Sequence, residues 1–225
     1  MRRMFVILIL LLVPLSCARA EEPGVWFSPL DELGRTGDAV AILTADSLGS
    51  RRESISGITP AGFVHGEAEY NRCHLIAARL APGTEVPENL FTGTAALNRE
   101  MIPIENEAAA YVRAGGVLLY RVTPEYRGRE LVPRGISVYA RALDGGELSI
   151  SVSLRNVQEG VAIDYLTGES GPEGRFFVLN VHSGRFHRPS CAGAADIRPE
   201  NRELFRGARS SLIRRGFEPC QSCAP

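Results

Sequence analysis

From Leu148 to Arg155 the chain alternates without a break: Leu148, Ile150, Val152 and Leu154 fall on one side, Ser149, Ser151, Ser153 and Arg155 on the other. A period of two with one apolar face marks a half-buried strand. The stretches "AVAILTA" (39–45), "GVLLYRVTPEY" (116–126) and "RGISVYARAL" (134–143) predict further strands. The "GG" at 145–146 joins the last of these to the alternating strand as a hairpin. Helical signals are fewer. "IENEAAAYVRAGG" (104–116) has helix formers, acids in its first turn, Arg113 in its last and Gly115 as a stop. "GTAALNRE" (93–100) also reads as helical. Further on, "GESGPEG" (168–174) has the composition of a linker, "RFFVLNV" (175–181) that of a strand, and "ENRELFRGARSSLIRRGF" (200–217) that of an arginine-rich helix. The pattern predicts a mixed α+β domain over 21–174 and a small module over 175–225.

Residues 1–20 stand apart. "MRRM" is a basic start, "FVILILLLVPL" (5–15) an apolar run, and "ARA" (18–20) a small-x-small cleavage signature before Glu21. Eleven apolar residues are too few to span a bilayer. The segment reads as a cleaved export signal, and no later stretch is long enough to cross a membrane. The expected location is secreted or extracellular, with periplasmic retention or a lipoprotein anchor at Cys17 as alternatives. Pro14, three places ahead of Cys17, disfavours the anchor.

Composition and charge change the picture in two ways. All 25 basic residues among the 225 are arginine. Chemistry that needs a lysine amine, such as a Schiff base or a phosphate-loop lysine, is excluded, while arginine is the better fork for phosphate oxygens. Charge is also uneven. Residues 21–174 carry 13 arginines against 22 acids, a net of −9, and residues 175–225 carry 9 against 4, a net of +5. An acidic body with a basic tail calls for a physical reason.

Candidate chemistry centres on "YNRCHLIA" (70–77), with Asn89, Asn98 and Glu105 following in "PENLFTGTAALNREMIPIEN". Cleaving a phosphodiester needs a base to activate water and a cation to neutralise the phosphate. A histidine neutral near pH 7 suits the first task. Mg²⁺, which keeps most of its waters and needs few protein oxygens, suits the second.

These residues resemble the DNA/RNA non-specific endonucleases of the ββα-metal (His-Me finger) fold, in particular their secreted bacterial branch of the DNA-uptake-nuclease type. The resemblance covers most of 30–170, including "LDELGRTGDAVAIL", "LLYRVTP" and "RNVQEGVAIDYLTGES". The widespread family pattern Asp-Arg-Gly-His reads Asn71-Arg72-Cys73-His74 here, and Asn89 and Asn98 keep the family's spacing of nine. The resemblance implies a ββα-metal unit on an antiparallel sheet. It makes His74 the general base and Asn98 the direct ligand of Mg²⁺ (or Mn²⁺). Glu105 binds the metal's water shell or orients its helix, Asn89 fixes the loop that positions His74, and Arg72 contacts phosphate or braces the site. DNA and RNA are the implied substrates, with 5′-phosphate ends as products; no inhibitor partner is legible. Cys73 stands where the family has glycine. In a strand the side chains of 73 and 74 point to opposite faces, so a Cys73/His74 dyad has poor geometry and a packed cysteine is expected.

In the tail, "SGRFHRPSC" (183–191) and "RGFEPCQSC" (215–223) bring together His187, Cys191, Cys220 and Cys223. One nitrogen and three sulfurs suit tetrahedral zinc, and a module this small needs a staple. Disulfides are the competing reading in an exported chain. The stretch resembles the Ada-type zinc module of methyl-phosphotriester repair in "FHRPSC" and "GFEPCQSCAP", with His187 where that module has its methyl-accepting cysteine. Methyl transfer is therefore not expected; a zinc-stapled basic surface for phosphates is, with a purely stabilising appendage as the alternative. Two rivals to the enzyme reading remain: a non-catalytic nucleic-acid binding or uptake factor on the same fold, and a cysteine hydrolase using Cys73.

Overall fold

The computed structural model describes residues 22–49, 54–65 and 70–225; the expected export signal lies outside the described residues. Strands β1 (Gly24–Phe27), β2 (Ala39–Leu43), β5 (Leu118–Glu125), β6 (Gly135–Ala142) and β7 (Ser149–Arg155) form one antiparallel sheet in the order β1-β2-β5-β6-β7. Alternation sorts its faces. Leu118, Tyr120, Val122, Val138 and Ala140 are buried on the inner face, while Ser149, Ser151 and Ser153 lie in water on the other.

Against the inner face packs a unit of β3 (Tyr70–His74), β4 (Leu90–Thr94) and α1 (Ala95–Arg113). β3 and β4 pair antiparallel with His74 opposite Leu90 and Cys73 opposite Phe91. Leu97, Met101, Ala108 and Val112, at helical spacing along α1, enter the same core as Cys73, Leu75 and Ile76. The two helices expected over 93–100 and 104–116 are one, running through Pro103. A proline inside a helix removes a single backbone bond, and burial of this face outweighs the loss.

The tail folds around a second sheet of β10 (Phe176–Asn180), β11 (Arg185–His187), β12 (Arg202–Arg206) and β13 (Glu218–Pro219), with α2 (Ala192–Ala195) and α3 (Arg209–Arg214) between strands. Phe177, Leu179, Phe186 and Leu212 are buried on one side, and Val178, Ala194 and Ile197 on the other. The helix expected over 200–217 is therefore corrected. Its first half is a strand paired along β10, where Leu204 and Phe205 pack against the tail's two small cores, and only Arg209–Arg214 is α-helical. The expected linker over 168–174 is corrected too, since β8 (Val161–Ile163) and β9 (Ser170–Pro172) pair as an ordered hairpin between the two units.

That hairpin explains the charge asymmetry. Arg202 reaches back to Asp164, both buried, and Arg206 donates to Glu169 Oε2 at 2.8 Å and to the Ser170 carbonyl at 2.8 Å. Part of the basic tail is matched to acids of the main unit rather than turned to solvent.

Candidate active site and metal centre

Chain geometry places His74 and Asn98 together. β3 and β4 pair antiparallel with Tyr70 opposite Thr94, so α1, starting directly after Thr94, begins beside the start of β3, and Asn98 in its first turn lines one cleft with Tyr70, Asn71, Arg72 and His74. The Thr94 hydroxyl caps α1, accepting from Leu97 N at 3.1 Å, and donates to the Val157 carbonyl at 2.9 Å. The Thr94 N–H donates to Asn156 Oδ1 at 2.8 Å. Buried Asn156 spends its amide on the carbonyls of Thr92 (2.9 Å) and Pro133 (2.8 Å). Three segments thus fix where the helix begins.

A cleft of about 540 Å³ opens there, lined by Tyr70, Asn71, Arg72, His74, Asn98 and residues 54–56. Of the expected nuclease residues, Arg72, His74 and Asn98 line it, and Asn89 and Glu105 do not. Arg72 donates through Nε to the Ile58 carbonyl at 2.6 Å and lies over the Phe63 ring, which braces the cleft's outer loop. Asn89 is fully buried behind His74. Its side chain accepts from Ile76 N at 2.8 Å and donates to the carbonyls of Ile76 (2.9 Å) and Thr84 (2.7 Å), while its own carbonyl accepts from Leu75 N at 2.9 Å. Three of these bonds hold the chain immediately after His74, and the fourth ties in the loop at Thr84.

Glu105 lies two helical turns beyond Asn98 on the buried face of α1, in an ion pair with Arg79 at 2.6 Å. The same guanidinium donates to Asn106 Oδ1 (2.6 Å) and to the Ile102 carbonyl (3.0 Å). Arg79 thereby pins the loop after β3 to the middle of the helix. Asn156, Thr94 and Arg79 escaped the sequence reading. Thr94 carried a signal, a threonine just ahead of a helical run; the other two act through contacts distant in sequence and carried none.

Cys73 is fully buried beneath this surface. Burial, with the nearby Glu105 carboxylate, pushes its thiol up to about 12, so it stays protonated at neutral pH. Its sulfur occupies the space beside Gly93, where a Cβ would approach it to 2.5 Å. A protonated thiol packed against backbone has no route to act as a nucleophile.

In the tail, one ligand atom each from His187, Cys191, Cys220 and Cys223 lies within 4.8 Å of the other three. Tetrahedral zinc with sulfurs at ~2.3 Å brings such atoms to about 3.8 Å, a small contraction. None of the four described cysteines is in a disulfide. His187 Nδ1 is buried with no hydrogen-bond partner, and burial together with Arg185 holds the imidazole below its ordinary pKa, in the neutral ligand form. A buried polar atom facing three sulfurs fits a metal better than it fits an empty core.

Residues 20–143 match the family model described as DNA/RNA non-specific endonuclease. The chain belongs to that family. NucA from Streptococcus agalactiae, with no metal bound, matches at 26% identity and a TM-score of 0.61, over 69% of this chain and 80% of NucA. Its magnesium-bound structure matches at 25% identity and a TM-score of 0.62, over 69% and 83%. Sda1 nuclease with bound zinc matches at 26% identity and a TM-score of 0.57, over 64% and 80%. A chain described as an extracellular endonuclease shares the fold, at 24% identity and a TM-score of 0.56, over 68% and 88%. No curated protein matches. In this endonuclease the His187, Cys191, Cys220 and Cys223 cluster of the tail lies outside the matched residues.

Proposed function

We propose that this endonuclease is exported and hydrolyses DNA and RNA by in-line attack of water, with His74 as the general base. The observation that carries the proposal is the meeting of His74, from a strand end, and Asn98, from the first turns of the next helix, in one solvent-filled cleft. An imidazole at that cleft takes the proton of a water facing the phosphate. Asn98 is exposed and offers a carboxamide oxygen, a hard donor, and a largely hydrated Mg²⁺ needs only one or two such oxygens. The residues present fit that ion. When bound there, Mg²⁺ or Mn²⁺ supplies the positive charge that neutralises the phosphate during cleavage.

The chain's other groups set geometry. Asn89 holds the backbone after His74, and Glu105 with Arg79 holds the helix that carries Asn98. Arg72 braces the cleft's outer loop beside the phosphate path. His187, Cys191, Cys220 and Cys223 take one Zn²⁺ that staples the tail and does no chemistry at the cleft. The export signal over 1–20 supports an extracellular setting, as does the fold shared with a chain described as an extracellular endonuclease.

Plasmid DNA and an RNA transcript offered with and without Mg²⁺ test the reading. Cleavage of both with Mg²⁺ is expected, and Asn98→Ala should lose activity and regain part of it at raised Mg²⁺ or Mn²⁺. A chelator strips zinc as well, so metal dependence is read by adding Mg²⁺ back to protein whose zinc content has been measured. Full activity without any divalent cation would end the single-metal reading.

A further inference from the structure

A second cleft, of about 280 Å³, lies between the two units and has no part in the chemistry above. Its apolar walls come from both sides, with Val157, Val161 and Tyr165 from the main unit and Phe176 from the tail. Each unit also contributes an exposed arginine, Arg155 at the end of β7 and Arg188 just after β11. Arg155 enters no ion pair among the described residues. Arg188 meets the Glu173 carboxylate only at 4.0 Å, with both groups more than half exposed, a pairing worth little.

The position of this cleft gives it meaning. Tyr70, on the wall of the His74 cleft, packs against the cluster of Val132, Ile163 and Tyr165, of which Ile163 and Tyr165 line the second cleft. The two openings share one wall. The segment after Arg155 also caps the helix carrying Asn98, since Asn156 and Val157 hold Thr94, and Gln158 Oε1 accepts from Ala96 N at 3.2 Å. Arg155 thus directly precedes the segment that holds the start of the helix carrying Asn98. On the far side, the Arg188 N–H donates to Cys223 Sγ at 3.4 Å and its guanidinium donates to the Ala224 carbonyl at 3.3 Å. The same knuckle that gathers the metal ligands sets this arginine.

We infer that the cleft between the units is a phosphate-binding subsite, in which Arg155 and Arg188 clamp the backbone of the substrate strand next to the nucleotides held at His74. The inference rests on the nuclease reading. Two guanidiniums lining one cleft with apolar walls match a strand that presents one phosphate per nucleotide and stacks its bases or sugars on aromatic and aliphatic side chains. The role of the tail is then to complete a binding track, with zinc holding one half of it.

The test is a binding titration in the His74→Ala background, in constant Mg²⁺, with a labelled single-stranded oligonucleotide of about twenty nucleotides. Affinity is measured from about 50 to 200 mM salt, where each phosphate contact contributes about 0.7 to the slope of log affinity against log salt. Arg155→Ala and Arg188→Ala should each flatten the slope by about 0.7, and the pair by about 1.4. Arg141→Ala removes the same charge from the outer face of β6, away from both clefts, and should change nothing. Unchanged slopes in the double variant, or equal flattening by Arg141→Ala, overturns the subsite. Cleavage of the same oligonucleotide by chain with His74 intact separates the two ideas. Normal, His74-dependent cleavage with unchanged slopes sinks the subsite alone. Flattened slopes in a chain that never cleaves sink the nuclease reading and leave the subsite standing.

Discussion

The two units of this endonuclease solve the same problem, holding a few polar side chains at fixed positions, by different means. The ββα unit rests on an apolar core that runs from the sheet through Cys73 and Phe91 to Leu97 and Val112. Each site residue is then trimmed by buried hydrogen bonds from Asn89, Asn156 and Arg79. The tail has two small clusters, around Phe186 and around Val178, and a knot of one histidine and three cysteines. Where core area is short, metal–ligand bonds at this knot, as proposed, would substitute for it. Solvation follows suit. The acidic unit meets the basic tail through Asp164 and Arg202, a pair buried from water, so neither half is electrostatically complete alone.

The largest expected effect strikes the tail. Cys220→Ser should abolish stoichiometric zinc, read by elemental analysis, and open residues 176–219 to hydrogen exchange and proteolysis. Structural zinc supplies on the order of 10 kcal/mol to comparably small modules. Protection retained without metal would mean that the tail's own core suffices, and the contrast between the units would collapse.

Next comes the seam. Asp164→Ala leaves the Arg202 guanidinium buried without its carboxylate, and breaking such a pair costs about 3–5 kcal/mol. Urea unfolding of the full chain should show that loss. A change below about 1 kcal/mol would show the seam to be solvated and the units to be independent. The same logic makes truncation at Gly174 a poor probe of the tail, because it strips Asp164 and Glu169, in the main unit, of their tail partners Arg202 and Arg206.

Within the catalytic unit, Glu105→Gln should lower stability by about 2 kcal/mol through the weakened Arg79 contact. Activity should fall only modestly, because Glu105 does not line the cleft. A large kcat loss at unchanged stability would instead place its carboxylate in the chemistry.

The smallest effect belongs to Cys73. Cys73→Ala should leave turnover within about twofold, and the native thiol should resist alkylation. Its pKa of about 12, against an ordinary value of 9.0, means that the unfolded chain releases this proton first. Its contribution to stability is therefore complete below about pH 9 and lost as pH rises towards 12. Loss of activity in a folded Cys73→Ala chain would revive the cysteine-hydrolase rival.

Legibility in the sequence followed range of interaction. The alternating strands at 118–125, 135–142 and 149–155 were plain, because one face of each meets the core and the other is more exposed, and 39–43 was plain as an apolar run buried along nearly its whole length. His74 and Asn98, close in sequence, line one cleft, while Asn89 lies buried behind it. Arg202–Arg206 misled because its arginines and Leu204 fit a helix face as well as a strand. The choice was made by β10 alongside and by Asp164 and Glu169, some forty residues earlier. The two helices expected over 93–100 and 104–116 are joined through Pro103, which tertiary packing carries within α1. Asn156 closing the helix start and Arg79 pinning its middle are contacts across long stretches of chain, and no local pattern announces them.

The central claim is that His74 is the base. Single-turnover cleavage of an oligonucleotide by His74→Ala, in saturating Mg²⁺ and with the fold verified by circular dichroism and zinc content, tests it most directly. A positioned base contributes about 10²–10⁴-fold, so the rate constant should fall by at least about 10² with substrate affinity nearly unchanged. A His74→Ala chain that cleaves within a few-fold of the unsubstituted rate would contradict the account.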